Sequence, residues 1–182
     1  MLVARDESPQ IKVRAVGVSN RTVLVTRASG EAWVIKQALE KLRVKVDWFS
    51  DPRRIEREAL AIEHLSRICE KGAITPLIFR DDANHLLAMA AVPEPHENWK
   101  TLLLRGDVRD EHVEQFAKLL ACIHRSVIGR RVHLDPAFSD TSFFESLRLE
   151  PYYLYTAEQV PEAAEFIQAL VELTRSRHIT LV

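Results

Sequence analysis

Cysteine is almost missing from this 182-residue chain, which has two, Cys69 and Cys122. Two thiols are too few for a disulfide framework, and a reducing, cytoplasmic setting is the expectation. Glycine is scarce at five residues and proline at eight, so neither a collagen-like repeat nor extended disorder fits. Charge of one sign is also lacking. Against 26 Asp and Glu stand 25 Lys and Arg, and a net charge of −1 gives no bulk pull toward nucleic acid or an anionic membrane. The basic residues are interspersed with acids, as in Asp51-Pro52-Arg53-Arg54-Ile55-Glu56-Arg57-Glu58, the pattern of a solvated helix and not of a phosphate-tracking stripe. No apolar run approaches the roughly 18 residues of a membrane span. The opening Met1-Leu2-Val3-Ala4-Arg5-Asp6-Glu7 lacks the apolar core of a signal peptide. The sequon Asn20-Arg21-Thr22 therefore carries no weight.

What is present is ordinary globular material, 47% hydrophobic and 28% charged, enough for one large domain or two small lobes. The first ninety or so residues are mainly β. Residues 11–16 and 21–26 alternate or run β-branched, and 32–38 follow the turn Ala28-Ser29-Gly30-Glu31, which predicts a three-stranded meander. A helix is predicted from Ser50-Asp51-Pro52, a capping residue with Pro in the first turn, to near Gly72. Residues 77–80 and 85–92 form a second hairpin around Asp81-Asp82-Ala83-Asn84. From Pro93 the character changes. A stiff polar connector, Pro93-Glu94-Pro95-His96-Glu97, leads into helical sequence. Residues 110–127 place Val113, Phe116, Leu120, Ile123 and Val127 on one apolar face, and a second helix over about 161–175 turns Phe166, Ile167, Leu170 and Leu173 inward. His178-Ile179-Thr180-Leu181-Val182 reads as extended.

Three features bear on chemistry. Lys36 ends Trp33-Val34-Ile35-Lys36, and residues two apart on a strand share a face, so Val34 and Lys36 point the same way. In a nucleotide cleft the apolar residue covers adenine while the ammonium reaches the phosphates; on an edge strand the same lysine simply faces water. The helix over 53–69, wound at 100° per residue, puts Ile55, Ala59, Ile62, Leu65 and Cys69 on one stripe with Glu58 inside it. A carboxylate on a core-facing stripe is costly unless paired. Lys36 is the partner the preceding strand offers, while Glu56 and Glu63 fall outside the stripe. Finally, Gly17-Val18-Ser19-Asn20 lies between the first two strands, either as an ordinary hairpin turn or as a turn presenting N–H groups, the Ser19 hydroxyl and the Asn20 amide to a phosphate.

Taken together these residues resemble the aminoglycoside-phosphotransferase family, a branch of the protein-kinase-like fold. Gly17-Val18-Ser19-Asn20 resembles its Gly-x-Ser-Asn nucleotide loop, Val34-Ile35-Lys36 its phosphate-binding lysine strand, and Arg57-Glu58-Ala59-Leu60 the helix with the paired glutamate. Leu87-Ala88-Met89-Ala90-Ala91-Val92-Pro93 is similar to its last strand and hinge, with backbone groups of Ala90 to Val92 toward adenine. Leu119-Leu120-Ala121-Cys122-Ile123-His124 is similar to its Leu-x-x-Leu-His helix, with Ile123 where Leu is usual. Lys36-Gln37-Ala38-Leu39, followed by Arg43-Val44, bears a looser similarity to methylthioribose kinases.

The resemblance implies an α+β, protein-kinase-like fold: a five-stranded antiparallel N-lobe with one helix, then the first helices of a truncated helical C-lobe. Residues 1–92 would be the N-lobe, 93–98 the hinge and 99–182 the partial C-lobe. It implies ATP and Mg2+ as cofactors, bound through Gly17, Ser19, Asn20, Val34, Lys36, Glu58, Met89, Ala90, Ala91 and Val92. The reaction would be transfer of the γ-phosphoryl group to a hydroxyl of a small metabolite or aminoglycoside-like acceptor. The family's His-Gly-Asp loop and later metal-binding Asp would follow the strand at 178–182, so catalytic and metal residues are expected beyond Val182 and this chain alone is expected to be inactive. It is also expected to self-associate, through the helix faces of Phe116, Leu120, Phe166 and Leu170 and the terminal strand. A non-catalytic nucleotide-binding or interaction module of the same fold is the alternative. The histidines and cysteines show no paired metal-ligand spacing, since Cys122 and His124 diverge on a helix and His64 and Cys69 sit on different faces. Tyr152-Tyr153 and Phe143-Phe144 read as packing between helices or as a pocket lining.

Overall fold

In the computed structural model, residues 7–14, 17–128 and 136–177 are described. Five strands, β1 (Gln10–Arg14), β2 (Asn20–Thr26), β3 (Ala32–Ala38), β4 (Leu77–Asp81) and β5 (Leu86–Ala90), form one sheet in the order β1-β2-β3-β5-β4. All four pairings are antiparallel. The expected strand over 11–16 thus begins one residue earlier, and its last two residues, Ala15 and Val16, lie outside the described residues. Asn20 belongs to β2 and not to the loop before it. The second hairpin turns one residue later than the sequence implied, over 82–85. His85 takes a left-handed φ of 50°, so β5 starts at Leu86, and Ala91 and Val92 fall past its end.

Between β3 and β4 lies α1 (Arg54–Ile68). Asp51 helps start it by accepting a 2.8 Å bond from the Arg53 N–H, although Arg53 and not Ser50 occupies the N-cap position. The helix ends at Ile68, short of Gly72, because Cys69 is already extended; Gly72, at φ +92°, turns the chain toward β4. Register decides what α1 covers. Thr22, Lys36 and Leu87 lie side by side across β2, β3 and β5, as do Leu24, Val34 and Met89. Laterally paired residues share a face. Ile55 and Ala59 of α1 close on Ala38 and Leu87 of that face, with Ile62, Leu77 and Met89 around them. The opposite face has Trp33 and Val25 buried, yet β1 leaves Ile11 and Val13 exposed at its edge.

The connector 93–98 leads to α2 (Trp99–Leu104), capped by the Asn98 side chain, and then to α3 (Asp110–Ile128). After residues 129–135 come a 3-10 turn (Pro136–Ser139), α4 (Ser142–Phe144), a π-helical stretch (Glu145–Leu154) and α5 (Tyr155–Gln159). The sequence reading did not resolve these elements, and Pro151 is the reason. It has no N–H and its ring collides with the carbonyl four residues back. The wider π turn accommodates it, and the Tyr155 N–H bonds to Glu150 five residues earlier.

A second core, Leu149, Ala157, Ile167 and Val171, joins these turns to α6 (Ala164–Arg175), which follows a 3-10 turn at Pro161–Ala163. Here one expectation fails. Ile167 faces inward with Val171, but Phe166, Leu170 and Leu173 are exposed, because packing on Leu149 and Ala157 sets the helix phase one residue away from the predicted one. The apolar face of α3 is likewise open. None of its residues is buried, and Val113, Phe116 and Leu120 face out. The expected strand at 178–182 lies outside the described residues.

Candidate functional site

Lys36 stands in the middle of β3, flanked on its face by Thr22 and Leu87. Glu58 of α1 is three residues after Ile55 and four before Ile62, so it projects from the side of the helix that meets the sheet. The two side chains meet, with Lys36 Nζ donating to Glu58 Oε1 at 2.6 Å. They are 28% and 34% exposed, which leaves the ammonium reachable from solvent. Two residues along each strand, about 6.6 Å away at strand rise, Val34 lies between Leu24 and Met89 as a small, half-buried apolar platform. The same face thus joins an apolar row to a cationic one, side by side.

A second cation was not legible in the sequence. Arg54 looked like one of a solvated run over 51–58, but it is 8% exposed. Its guanidinium donates to the carbonyls of Ser50 at 3.0 Å and Asp51 at 3.1 Å through Nη1, and to those of Leu39 at 2.8 Å and Ser19 at 2.5 Å through Nη2. Burial lowers its pKa from the usual arginine value, while Asp51 and Glu58 oppose that shift, and it remains a cation. The signal available was position: Arg54 is one turn before Glu58 and borders the buried stripe at Ile55. Glu58 is consequently attracted to two cations, Lys36 by direct contact and Arg54 at longer range, while Asp51 also acts on Arg54.

The turn over 17–20 is held from behind. Gly17 has φ +75°, where a side chain would be strained. The Gly17 and Asn20 carbonyls accept from the Arg43 guanidinium at 3.2 and 2.6 Å, and the Val18 carbonyl from the Arg43 N–H at 2.9 Å. The Ser19 carbonyl takes Arg54 and the Leu39 N–H, the latter at 3.0 Å. All four carbonyls of the turn are engaged, so an anion approaching it does not meet free carbonyl dipoles. Asn20 Oδ1 is buried without a partner among the described residues.

At the end of β5 the expectation narrows. The Ala90 and Ala91 N–H groups donate to the Pro76 and Ala32 carbonyls, each at 2.9 Å, and are committed to the fold. Among the described residues the Val92 N–H has no such partner, and Val92 is exposed.

Two cavities lie elsewhere. One of about 750 Å3, lined in part by Phe49, Arg53, Arg57, Asp140 and Phe143, separates the start of α1 from α4. Another of about 980 Å3 is lined in part by Trp99, Phe116, Leu119 and Cys122. Neither includes Lys36 or Glu58. Their chemistry, a paired lysine beside an apolar platform, singles out the sheet face and not enclosure. Phe143 thus lines a cavity, whereas Tyr152 packs edge-on against Trp48 at 5.9 Å. His64 is buried beside Phe138, its ring 6.1 Å away, in a packing role. Among the described residues no group of three or more His, Cys, Asp or Glu is arranged to hold a metal, and no helix is long and apolar enough to cross a membrane.

No family model matches the chain, and neither does any curated protein.

Proposed function

We propose that this chain is the nucleotide-binding part of an ATP-dependent small-molecule phosphotransferase with a protein-kinase-like fold, of the aminoglycoside-phosphotransferase type. The Lys36–Glu58 ion pair, at 2.6 Å between strand and helix, carries the reading. A strand lysine positioned by a helix glutamate is how kinase-like folds present an ammonium to ATP phosphates. The antiparallel sheet with its single helix between β3 and β4, followed by a connector and helices, supports it.

In this reading Val34, Leu24 and Met89 take the purine, Lys36 the phosphates, and the Val92 N–H the purine edge. Gly17, Ser19 and Asn20 border the phosphates on a turn whose carbonyls are already engaged. ATP would supply the transferable phosphoryl group. Mg2+ would arrive on its phosphate oxygens, since this ion binds largely through water and phosphate. The sequence contains no His-Gly-Asp tripeptide, so the proposal gives this chain ATP binding and not turnover by itself. The acceptor would be a small hydroxylated molecule; fold likeness names no further. Titration with Mg2+-ATP, followed by calorimetry, tests it. Saturable binding that Lys36→Ala weakens is expected, and an absence of binding at millimolar ATP or GTP would overturn it.

A further inference from the structure

The chain's two cysteines meet. Cys69 is the C-cap of α1, where its N–H bonds to Leu65 at 2.9 Å. Cys122 lies in α3, and its Sγ donates to the carbonyl of Ile68, the residue just before Cys69, at 3.3 Å. The Cys122 sulfur therefore lies against the backbone at the end of α1, next to Cys69, and both thiols are free and half-buried.

We propose that Cys69 and Cys122 are a redox pair that closes to an intramolecular disulfide, stapling α1 to α3. A disulfide needs an S–S separation of about 2.05 Å and Cβ atoms about 3.5–4.5 Å apart. The 3.3 Å contact of the Cys122 sulfur with the Ile68 carbonyl brings it beside the backbone of Cys69, so rotation of the two side chains is the movement that closure requires. Access is provided on one side, because Cys122 lines the cavity of about 980 Å3. Burial, and next the Cys122 sulfur, hold the Cys69 thiol above its ordinary pKa, so Cys69 is the slower nucleophile.

The order of events follows. The Cys122 thiolate attacks one sulfur of a small-molecule disulfide RSSR, which leaves as a thiolate and gives a mixed disulfide on Cys122. Cys69 then attacks the Cys122 sulfur and expels the second thiolate. The two protons released by Cys122 and Cys69 end on the two RSH products, so the cysteines lose two electrons and RSSR gains them. In a reducing setting the dithiol is the resting form, and the disulfide forms under oxidative load. The staple would fix the C-terminal end of the helix that carries Glu58. That consequence rests on the proposed nucleotide site, but the disulfide does not.

The test uses the full chain, equilibrated in oxidised and reduced glutathione mixtures, quenched by alkylation and mapped by non-reducing mass spectrometry. The expected product is monomeric, lighter by two hydrogens, with the Cys69 and Cys122 peptides linked and released by dithiothreitol. Hydrogen exchange at the end of α1 should slow in that product. A lasting glutathione adduct, disulfide-linked dimers or untouched thiols would each overturn the proposal. In Cys69→Ser the reaction should stop at a glutathione adduct on Cys122; no adduct there would refute the stated order. A failed crosslink leaves ATP binding to be judged independently, and absent ATP binding leaves the crosslink readable.

Discussion

Replacing Lys36 with alanine separates the two things its ammonium can do. As a structural ion pair it is modest. Both partners are about one-third exposed, and exposed pairs contribute about 0.2–1 kcal/mol. As a phosphate ligand it is worth more, because a hydrogen bond to a charged group contributes about 1.5–3 kcal/mol. Lys36→Ala is therefore expected to lose no more than about 1 kcal/mol of stability while weakening ATP binding about tenfold to 150-fold. Glu58→Gln keeps the shape but frees the ammonium, and should cost only severalfold in affinity. The double variant should show coupling, because the side chains touch. Fluorescent-nucleotide titration and urea unfolding on the same samples read both quantities. An affinity within twofold of wild type in Lys36→Ala would refute the phosphate role. A stability loss above about 3 kcal/mol, the range of a broken buried pair, would mark the pair as structural instead.

Arg54→Met should lose about 2–4 kcal/mol in urea unfolding, since the carbonyls of Ser19, Leu39, Ser50 and Asp51 lose their shared donor. Arg54→Lys should recover only part of this, because an ammonium cannot span the fork; a loss under about 0.5 kcal/mol in Met would contradict it. Asp140 is held below its ordinary value of 3.8, first by hydrogen bonds from Ser142 and then by Arg57, 3.1 Å away. A depressed carboxylate stabilises above its unfolded pKa and loses that contribution as pH falls through the folded one. The stability gap between wild type and Asp140→Asn should therefore be full at pH 7 and shrink below about pH 4; a gap unchanged at pH 3 would contradict the assignment. Phe116, Leu120 and Phe166 are 51%, 39% and 72% exposed, so light scattering should show mass rising with concentration. Phe116→Glu with Phe166→Glu should suppress it, and a wild type that stays monomeric at high concentration would refute it.

The sheet was legible because its signals are local. β-branched alternation and turn residues placed β3 at its observed ends and the other strands within one or two residues. The Lys36–Glu58 pair was legible for a different reason: a carboxylate inside an apolar stripe needs a cation, and one strand residue met the need. Arg54 stayed hidden because its four partners are backbone carbonyls, two of them distant in sequence, and no side-chain pattern announces a carbonyl. Thr22 and Leu24 stayed hidden because register between strands is a tertiary fact. The phase of α6 was misread because Phe166, Leu170 and Leu173 are as apolar as Ile167 and Val171. Only Leu149 and Ala157, reached through the π turn at Pro151, choose between the two faces.

The two cores explain why so much of the chemistry-bearing surface is polar. Ala38, Ile55, Ala59 and Leu87 form one cluster, Leu149, Ala157, Ile167 and Val171 the other, and the two share no residue. Several contacts between them are single polar clasps. Trp48 Nε1 donates to the Ser146 carbonyl at 2.9 Å and Arg57 meets Asp140 at 3.1 Å, while Cys122 of α3, a helix that belongs to neither cluster, meets Ile68 at 3.3 Å. Interfaces of this kind permit relative motion, unlike large apolar ones. Two of the clasps, at Arg57 and Ile68, lie on α1, the helix that carries Glu58. Displacing α1 would lengthen the Lys36–Glu58 contact and would also pull Ile55 and Ala59 from Ala38 and Leu87, so the core holds the ion pair in place. A ligand that bridges the sheet face and the connector would meet both the paired lysine and the Val92 amide, which has no hydrogen-bond partner among the described residues.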